Sequence, residues 1–277
     1  MHCEFEIANC EIQFQIRNFK FQIMNSLFDL TNKIAIVTGG GRGLGRAIAI
    51  GLAQFGADVA LVARTQSELE ITAREIEKEG RRALIYPADV SKKADIEKIV
   101  SDVVAQWGRI DILVNNAGVD AASPALDYSE DDWDFVLDVN LKGYFLFAQA
   151  CAREMKKTGG GAIINNSSIC GDVAVKNIVA YNASKGGVNM LTRTLAVEWA
   201  PYNIRVNAFS PAYMEAFMPG AASEHDEKKE QAIRELTPLG RRGKPEELVG
   251  PVVFLASNAS SYVTGEVLMV DGGWTAK

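Results

Sequence analysis

The chain has 277 residues, 48% of them hydrophobic, with a formal net charge of −6 and a pI near 5.2. That length supports one large core, and no Pro/Ser-rich linker divides it. The acidic balance, with Lys and Arg scattered, is the opposite of the clustered basic surface that grips a phosphate backbone, so nucleic acid is excluded as a partner.

Residues 1–23, MHCEFEIANCEIQFQIRNFKFQI, mix Glu, Gln, Asn, Ile and Phe without helix caps or turn residues. They read as an extension foreign to the working domain, which is expected to start at Met24; the rival reading is a β-like arm at a subunit edge. From Lys33 short apolar runs alternate with amphipathic stretches. KIAIVT, DVALVA, RALIYP and DILVNN read as strands, and 43–55, 67–79 and 94–107 between them as helices. A long helix is expected over 131–156, then the strand GAIINNSS, a helix through 181–199, the strand NIRVNAFS, an irregular lid over about 211–240, and the strand EVLMVDGG. The strands are apolar on both faces, as in a parallel sheet covered by helices on each side. The predicted architecture is a single α/β domain over 24–277, a Rossmann-type doubly wound parallel sheet of about seven strands whose C-termini share one rim. The charged run 224–230 reads as a solvated face within the lid.

Cys3, Cys10, Cys151 and Cys170 show no C-x-x-C spacing and the chain has two His, so no metal site is expected. Free thiols, with neither a secretory leader nor an apolar run of membrane-spanning length, make the cytoplasm the expected compartment.

Gly39, Gly43 and Gly45 follow the first strand in a G-x-x-x-G-x-G spacing at the start of a helix. Glycines there allow a tight turn and a close backbone approach to a pyrophosphate, while the helix N-terminus supplies free N–H donors and the positive dipole end. The second strand ends at Ala63 and Arg64 follows, with no acid at that end to bind a ribose 2′-hydroxyl; Asp58 is at the other end. Arg42 and Arg64 are placed to hold a 2′-phosphate, so NADP(H) is the preferred cofactor, with NAD(H) as the alternative. Asp89, after the third strand, is a candidate acceptor for an adenine amino group. Asn116, Ala117 and Gly118, after the fourth, are candidates for the ribose or nicotinamide. Tyr181 and Lys185 are four residues apart and share a helix face, where an ammonium is expected to lower the phenol from its usual pKa of about 10.

TGGGRGLG, NNAG, a strand ending in Ser168, YNASK and VDGGW together resemble the short-chain dehydrogenase/reductase family over about Leu30–Lys277. The resemblance implies a catalytic set of Asn140, Ser168, Tyr181 and Lys185, with Ser168 standing thirteen residues before the tyrosine. It implies that Tyr181 exchanges the proton with the substrate oxygen and Ser168 orients that oxygen. Lys185 would hold the nicotinamide ribose and Asn140 a water leading to it. The cofactor would lie on Gly39, Gly41, Arg42, Gly43, Leu44, Gly45, Arg64, Asp89, Val90, Asn116, Ala117, Gly118, Tyr181, Lys185, Pro211, Ala212 and Met214. Ala212 and Ala216 stand where the family carries Gly and Thr, and the missing hydroxyl removes one hydrogen bond worth about 1 kcal/mol.

Substrate candidates are 119–122, 169–175 including Cys170, Asn177 and 213–217. The overall run resembles members acting on gluconate and keto sugar acids, with 3-oxoacyl thioester reductases next; Arg241, Arg242 and Lys244 are a candidate docking patch for an acyl carrier. A nucleotide-binding sensor without turnover is the reading from another class. Phe145, Phe147, Leu191 and Leu195 are expected to pack against another subunit, in a homotetramer or homodimer.

Overall fold

Strand β1, Ile34–Thr38, alternates its side chains between two cores. Ile34 and Ile36 face one, Ala35 and Val37 the other, as the two-residue period of a strand requires. The same alternation recurs in β4, Ile112–Asn115, where Leu113 opposes Ile112 and Val114. In this computed structural model the described residues are 27–216 and 227–277; the 1–23 extension and the 217–226 part of the lid lie outside them.

The remaining strands are β2 (Asp58–Ala63), β3 (Ala83–Pro87), β5 (Gly161–Asn166), β6 (Ile204–Pro211) and β7 (Val267–Val270). All seven pair in parallel in the order β3-β2-β1-β4-β5-β6-β7. The helices are α1 (Gly43–Gln54), α2 (Gln66–Lys78), α3 (Lys93–Trp107), α4 (Glu130–Leu137), α5 (Gly143–Lys157), α6 (Val179–Trp199), α7 (Glu227–Leu236) and α8 (Val249–Ala256). α1, α2 and α8 bury Leu52, Ile76 and Val252 on one face, while α3, α5 and α6 bury Val103, Phe147 and Leu195 on the other. The expected doubly wound sheet is the observed one. Strand order reverses between β1 and β4, and in such sheets the crevice at that switch point is where ligands sit. No helix among the described residues is long and apolar enough to cross a membrane.

Two expectations change. The long helix over 131–156 is interrupted by a π-turn, Asp138–Lys142, which turns Asn140 into the interior. Such turns concentrate at functional positions. Phe147 and Leu195, expected at a subunit contact, are core residues at 1% and 4% exposure, whereas Phe145 reaches the surface.

Candidate active site

β1 ends in Thr38, whose hydroxyl accepts from the N–H groups of Asn116 (2.9 Å) and Ala117 (3.0 Å), tying the loop after β4 to the glycine loop. Gly39 and Gly43 adopt left-handed φ values of 66° and 53°. A Cβ on Gly45 would run into the Gly39 carbonyl and the Asn116 amide. Helix α1 opens at Gly43 with no side chain capping its first N–H groups, leaving them for an anion.

A cleft of about 270 Å³ opens over this loop. Of the residues expected to hold a cofactor, Gly39, Gly41, Arg42, Gly43, Leu44, Gly45, Arg64, Asp89, Val90, Asn116, Ala117 and Gly118 line it. Ala216, the residue standing for the family threonine, lines it too, beside Gly43. The uncapped helix and the glycine cradle fit a dinucleotide pyrophosphate. Pro211, Ala212 and Met214 lie past this lining, at the end of β6, with Met214 bridged to Gly243.

The adenosine end carries an acid that sequence reading overlooked. Glu68, in the first turn of α2, lines the cleft and sits 3.6 Å from the Arg42 guanidinium. The absence of an acid at the end of β2 is real, but the first turn of α2 folds back over Gly41 and supplies one. Asp58 is engaged by Arg81 and Arg82 at the opposite rim. Burial pushes the Asp89 carboxyl up, but the Ser91 N–H and hydroxyl, helped by Lys92 and Arg64, more than offset this and hold it below its ordinary value.

At the inner end, Ser168, Tyr181 and Lys185 come together, all 7% exposed or less. β5 ends at Asn166, two residues before Ser168, whose extended backbone starts a short 3₁₀ turn over Ile169–Gly171. Its hydroxyl accepts from the Cys170 N–H at 3.2 Å and lies close enough to the Tyr181 phenol to favour its ionised form. The Lys185 ammonium nitrogen donates to the Asn166 carbonyl at 2.6 Å and lies 5.4 Å from the centre of the Tyr181 ring. Asn166 itself lines the cleft, whereas Ser168, Tyr181 and Lys185 do not, so the catalytic group meets the cleft at Asn166. Asn140 clamps the backbone of Val119 from both sides, accepting its N–H at 2.9 Å and donating to its carbonyl at 2.8 Å, and also reaches Ser184. Its amide is committed to protein partners, so it positions the Val119 loop.

The expected lowering of the Tyr181 phenol is reversed. Burial pushes it well above its ordinary value, with Cys170 and Asp120 adding to the rise and only the neighbouring Ser168 hydroxyl opposing it. Burial also brings Lys185 down to about 7, so its ammonium charge is weak where the sequence argument needed it strong.

Two of the three residues of the candidate acyl-carrier patch, Arg241 and Arg242, are ion-paired. Arg241 pairs with Glu247 at 2.7 Å and Arg242 with Glu230 at 2.6 Å, the second pair largely buried.

With this geometry in place, residues 39–275 match the family model described as Enoyl-(Acyl carrier protein) reductase. The chain belongs to the short-chain dehydrogenase/reductase family and is an oxidoreductase. It is 43% identical to the 2-dehydro-3-deoxy-D-gluconate 5-dehydrogenase of Escherichia coli strain K12, over 88% of this chain and 96% of the relative. It is 40% identical to the NAD-dependent glycerol dehydrogenase of Listeria innocua, over 88% of this chain and 94% of the relative. Among solved structures, a gluconate 5-dehydrogenase from Burkholderia cenocepacia in complex with NADP and tartrate superposes with a TM-score of 0.87 at 38% identity, covering 92% of this chain and 99% of that one.

Proposed function

We propose that the chain interconverts a secondary alcohol and a ketone on a sugar acid of the gluconate class, using NADP(H). The observation that carries this reading is the junction of Ser168, Tyr181 and Lys185 with the inner end of the dinucleotide cleft at Asn166. A bound nicotinamide supplies the hydride in reduction and accepts it in oxidation. Tyr181, which burial keeps protonated, gives its proton to the carbonyl oxygen as the ketone becomes an alcohol. The Ser168 hydroxyl orients that oxygen, Lys185 would hold the ribose hydroxyls of the bound cofactor, and Asn140 keeps the Val119 loop in register. The gluconate-type relatives support the substrate class. The paired Arg241 and Arg242 argue against an acyl-carrier substrate, and the complete catalytic set argues against a sensor without turnover. Free Cys151 and Cys170 fit the reducing cytoplasm as its compartment.

The decisive assay follows NADPH and NADH oxidation separately with keto sugar acids, simple ketones and a 3-oxoacyl thioester. Keto sugar acids reacting best with NADPH are the expected result; turnover of the thioester alone, or of nothing, overturns the reading.

Arg42 and Arg64 favour the 2′-phosphate of NADP(H), while Glu68 restrains Arg42 and offers an acceptor to the 2′-hydroxyl of NAD(H). Glu68→Gln is therefore expected to raise the NADPH:NADH ratio of kcat/KM about tenfold, the effect of one charge-assisted hydrogen bond. An unchanged ratio in steady-state kinetics removes Glu68 from cofactor selection.

An apolar hollow lies between the π-turn and α6, lined by Leu137, Leu141, Phe145, Met190 and Leu191, with Met190 58% exposed. A second copy of the chain covers it in a homodimer or homotetramer. Light scattering is expected to give a multiple of the chain mass, and Met190→Lys to lower it.

A further inference from the structure

Asp120 belongs to the 119–122 stretch that the sequence offers as a substrate candidate, and the proposed reaction assigns it no role. It follows Val119 in the loop after β4 and is 8% exposed. One oxygen, Oδ1, accepts the Ala121 N–H at 2.8 Å, and the Tyr128 hydroxyl donates to the Ala121 carbonyl at the same distance. Two residues further on, the Ser123 N–H donates to the Asn177 carbonyl at 2.9 Å, fixing the loop against the lead into α6. The carboxyl is thus restrained, and ionised it would raise the Tyr181 phenol and the Cys170 thiol. Asp120 stands between Val119, which lines the dinucleotide cleft, and Ser123, which pairs with Ile178 at the lead into α6, so its loop runs from the cleft to the helix end that carries Tyr181.

Among the described residues Asp120 forms no salt bridge. A buried carboxyl with one N–H and no cation is costly to keep ionised, and burial indeed pushes it above its ordinary value. Folding alone gives no return for that cost, whereas a ligand donating to the carboxyl does. The ligand group that fits is a hydroxyl. A carboxylate in the same place would meet like charge in a low-dielectric pocket, an arrangement that costs several kcal/mol.

We infer that Asp120 reads the carbon next to the one that reacts, accepting a hydrogen bond from a hydroxyl there and rejecting a carboxylate. The substrate ketone is then flanked by hydroxylated carbons, and the acid group of a sugar acid lies at its far end. This rests on the ketone-reductase reading above and adds regioselectivity to it. The reaction is unchanged: the ketone takes a hydride from the reduced cofactor at carbon and a proton from Tyr181 at oxygen, giving the alcohol and the oxidised cofactor.

The test compares kcat/KM for three ketones in the intact protein: a 5-keto sugar acid, a 2-keto sugar acid, and the neutral hydroxyketone dihydroxyacetone. Wild type is expected to reduce the 2-keto acid poorly. Asp120→Asn, which keeps the shape and removes the charge, is expected to raise the rate on the 2-keto acid relative to the other two by about tenfold or more. Asp120→Glu is expected to keep the discrimination. An unchanged ratio in Asp120→Asn, or an equal loss on all three ketones, overturns the inference. If Asp120→Asn does not fold, Asp120→Ser is read by the same ratio. Wild type that uses the neutral hydroxyketone and no keto sugar acid refutes the sugar-acid reading, and the ratio of 2-keto acid to hydroxyketone in the variants still decides the role of Asp120.

Discussion

Replacing Tyr181 with Phe is expected to lower kcat by about 10²–10⁴-fold while leaving NADPH affinity within about twofold of wild type, because the change removes the general acid and little else. The ring is buried with the Lys185 ammonium nitrogen 5.4 Å from its centre, and Phe preserves that packing. Fluorescence titration with NADPH and steady-state kinetics separate the two quantities. A variant that keeps more than a tenth of wild-type kcat would remove Tyr181 from the chemistry. The same residue sets the pH profile. Its phenol is raised by burial and then by Cys170 and Asp120. Reduction needs the proton in place, so its rate persists through neutral pH into the alkaline range and falls only as pH passes that raised value. Oxidation needs the proton gone, so its rate climbs with pH. Parallel profiles in the two directions would contradict this assignment.

What the sequence made legible were the features that depend on local spacing. The two-residue alternation in KIAIVT and DILVNN and the glycine spacing after the first strand each translate directly into backbone geometry. The sheet and most of the cleft lining followed from them. Features that depend on what folds back from elsewhere were not legible. Glu68 reaches the adenosine end because one helical turn returns over Gly41, and distance along the chain hides that. The phenol–ammonium argument used spacing on a helix face and had no measure of burial, which is the stronger influence on both groups. Arg241 and Arg242 looked like a basic patch because their partners lie at Glu247 and Glu230, and α7 had to be in place to bring Glu230 near. Phe147 and Leu195 illustrate the remaining ambiguity: on helices apolar on several sides, the side facing the sheet is decided by tertiary packing.

Gly45→Ala is expected to cost about 3 kcal/mol of stability and to weaken NADPH binding by tenfold or more. Two glycines of the loop separate two distinct reasons for having no side chain. At Gly43 the backbone is left-handed, with φ of 53°, but an added Cβ would meet only the Ala216 Cβ at 3.6 Å, an ordinary contact. Gly43→Ala therefore carries the torsional cost alone, about 1 kcal/mol. At Gly45 the obstruction is the Gly39 carbonyl, backbone that is itself anchored by the Gly39 N–H donating to the Val62 carbonyl at 2.7 Å. The new methyl can be accommodated only by moving α1 away from β1. That shift displaces the uncapped N–H groups at the head of α1, which are the groups aimed at the pyrophosphate. Thermal melts of the two variants, with and without NADPH, measure both effects. The cofactor should stabilise Gly43→Ala nearly as well as wild type and Gly45→Ala far less. Equal stabilisation of both would show that the loop tolerates the methyl and that close approach is not what Gly45 provides.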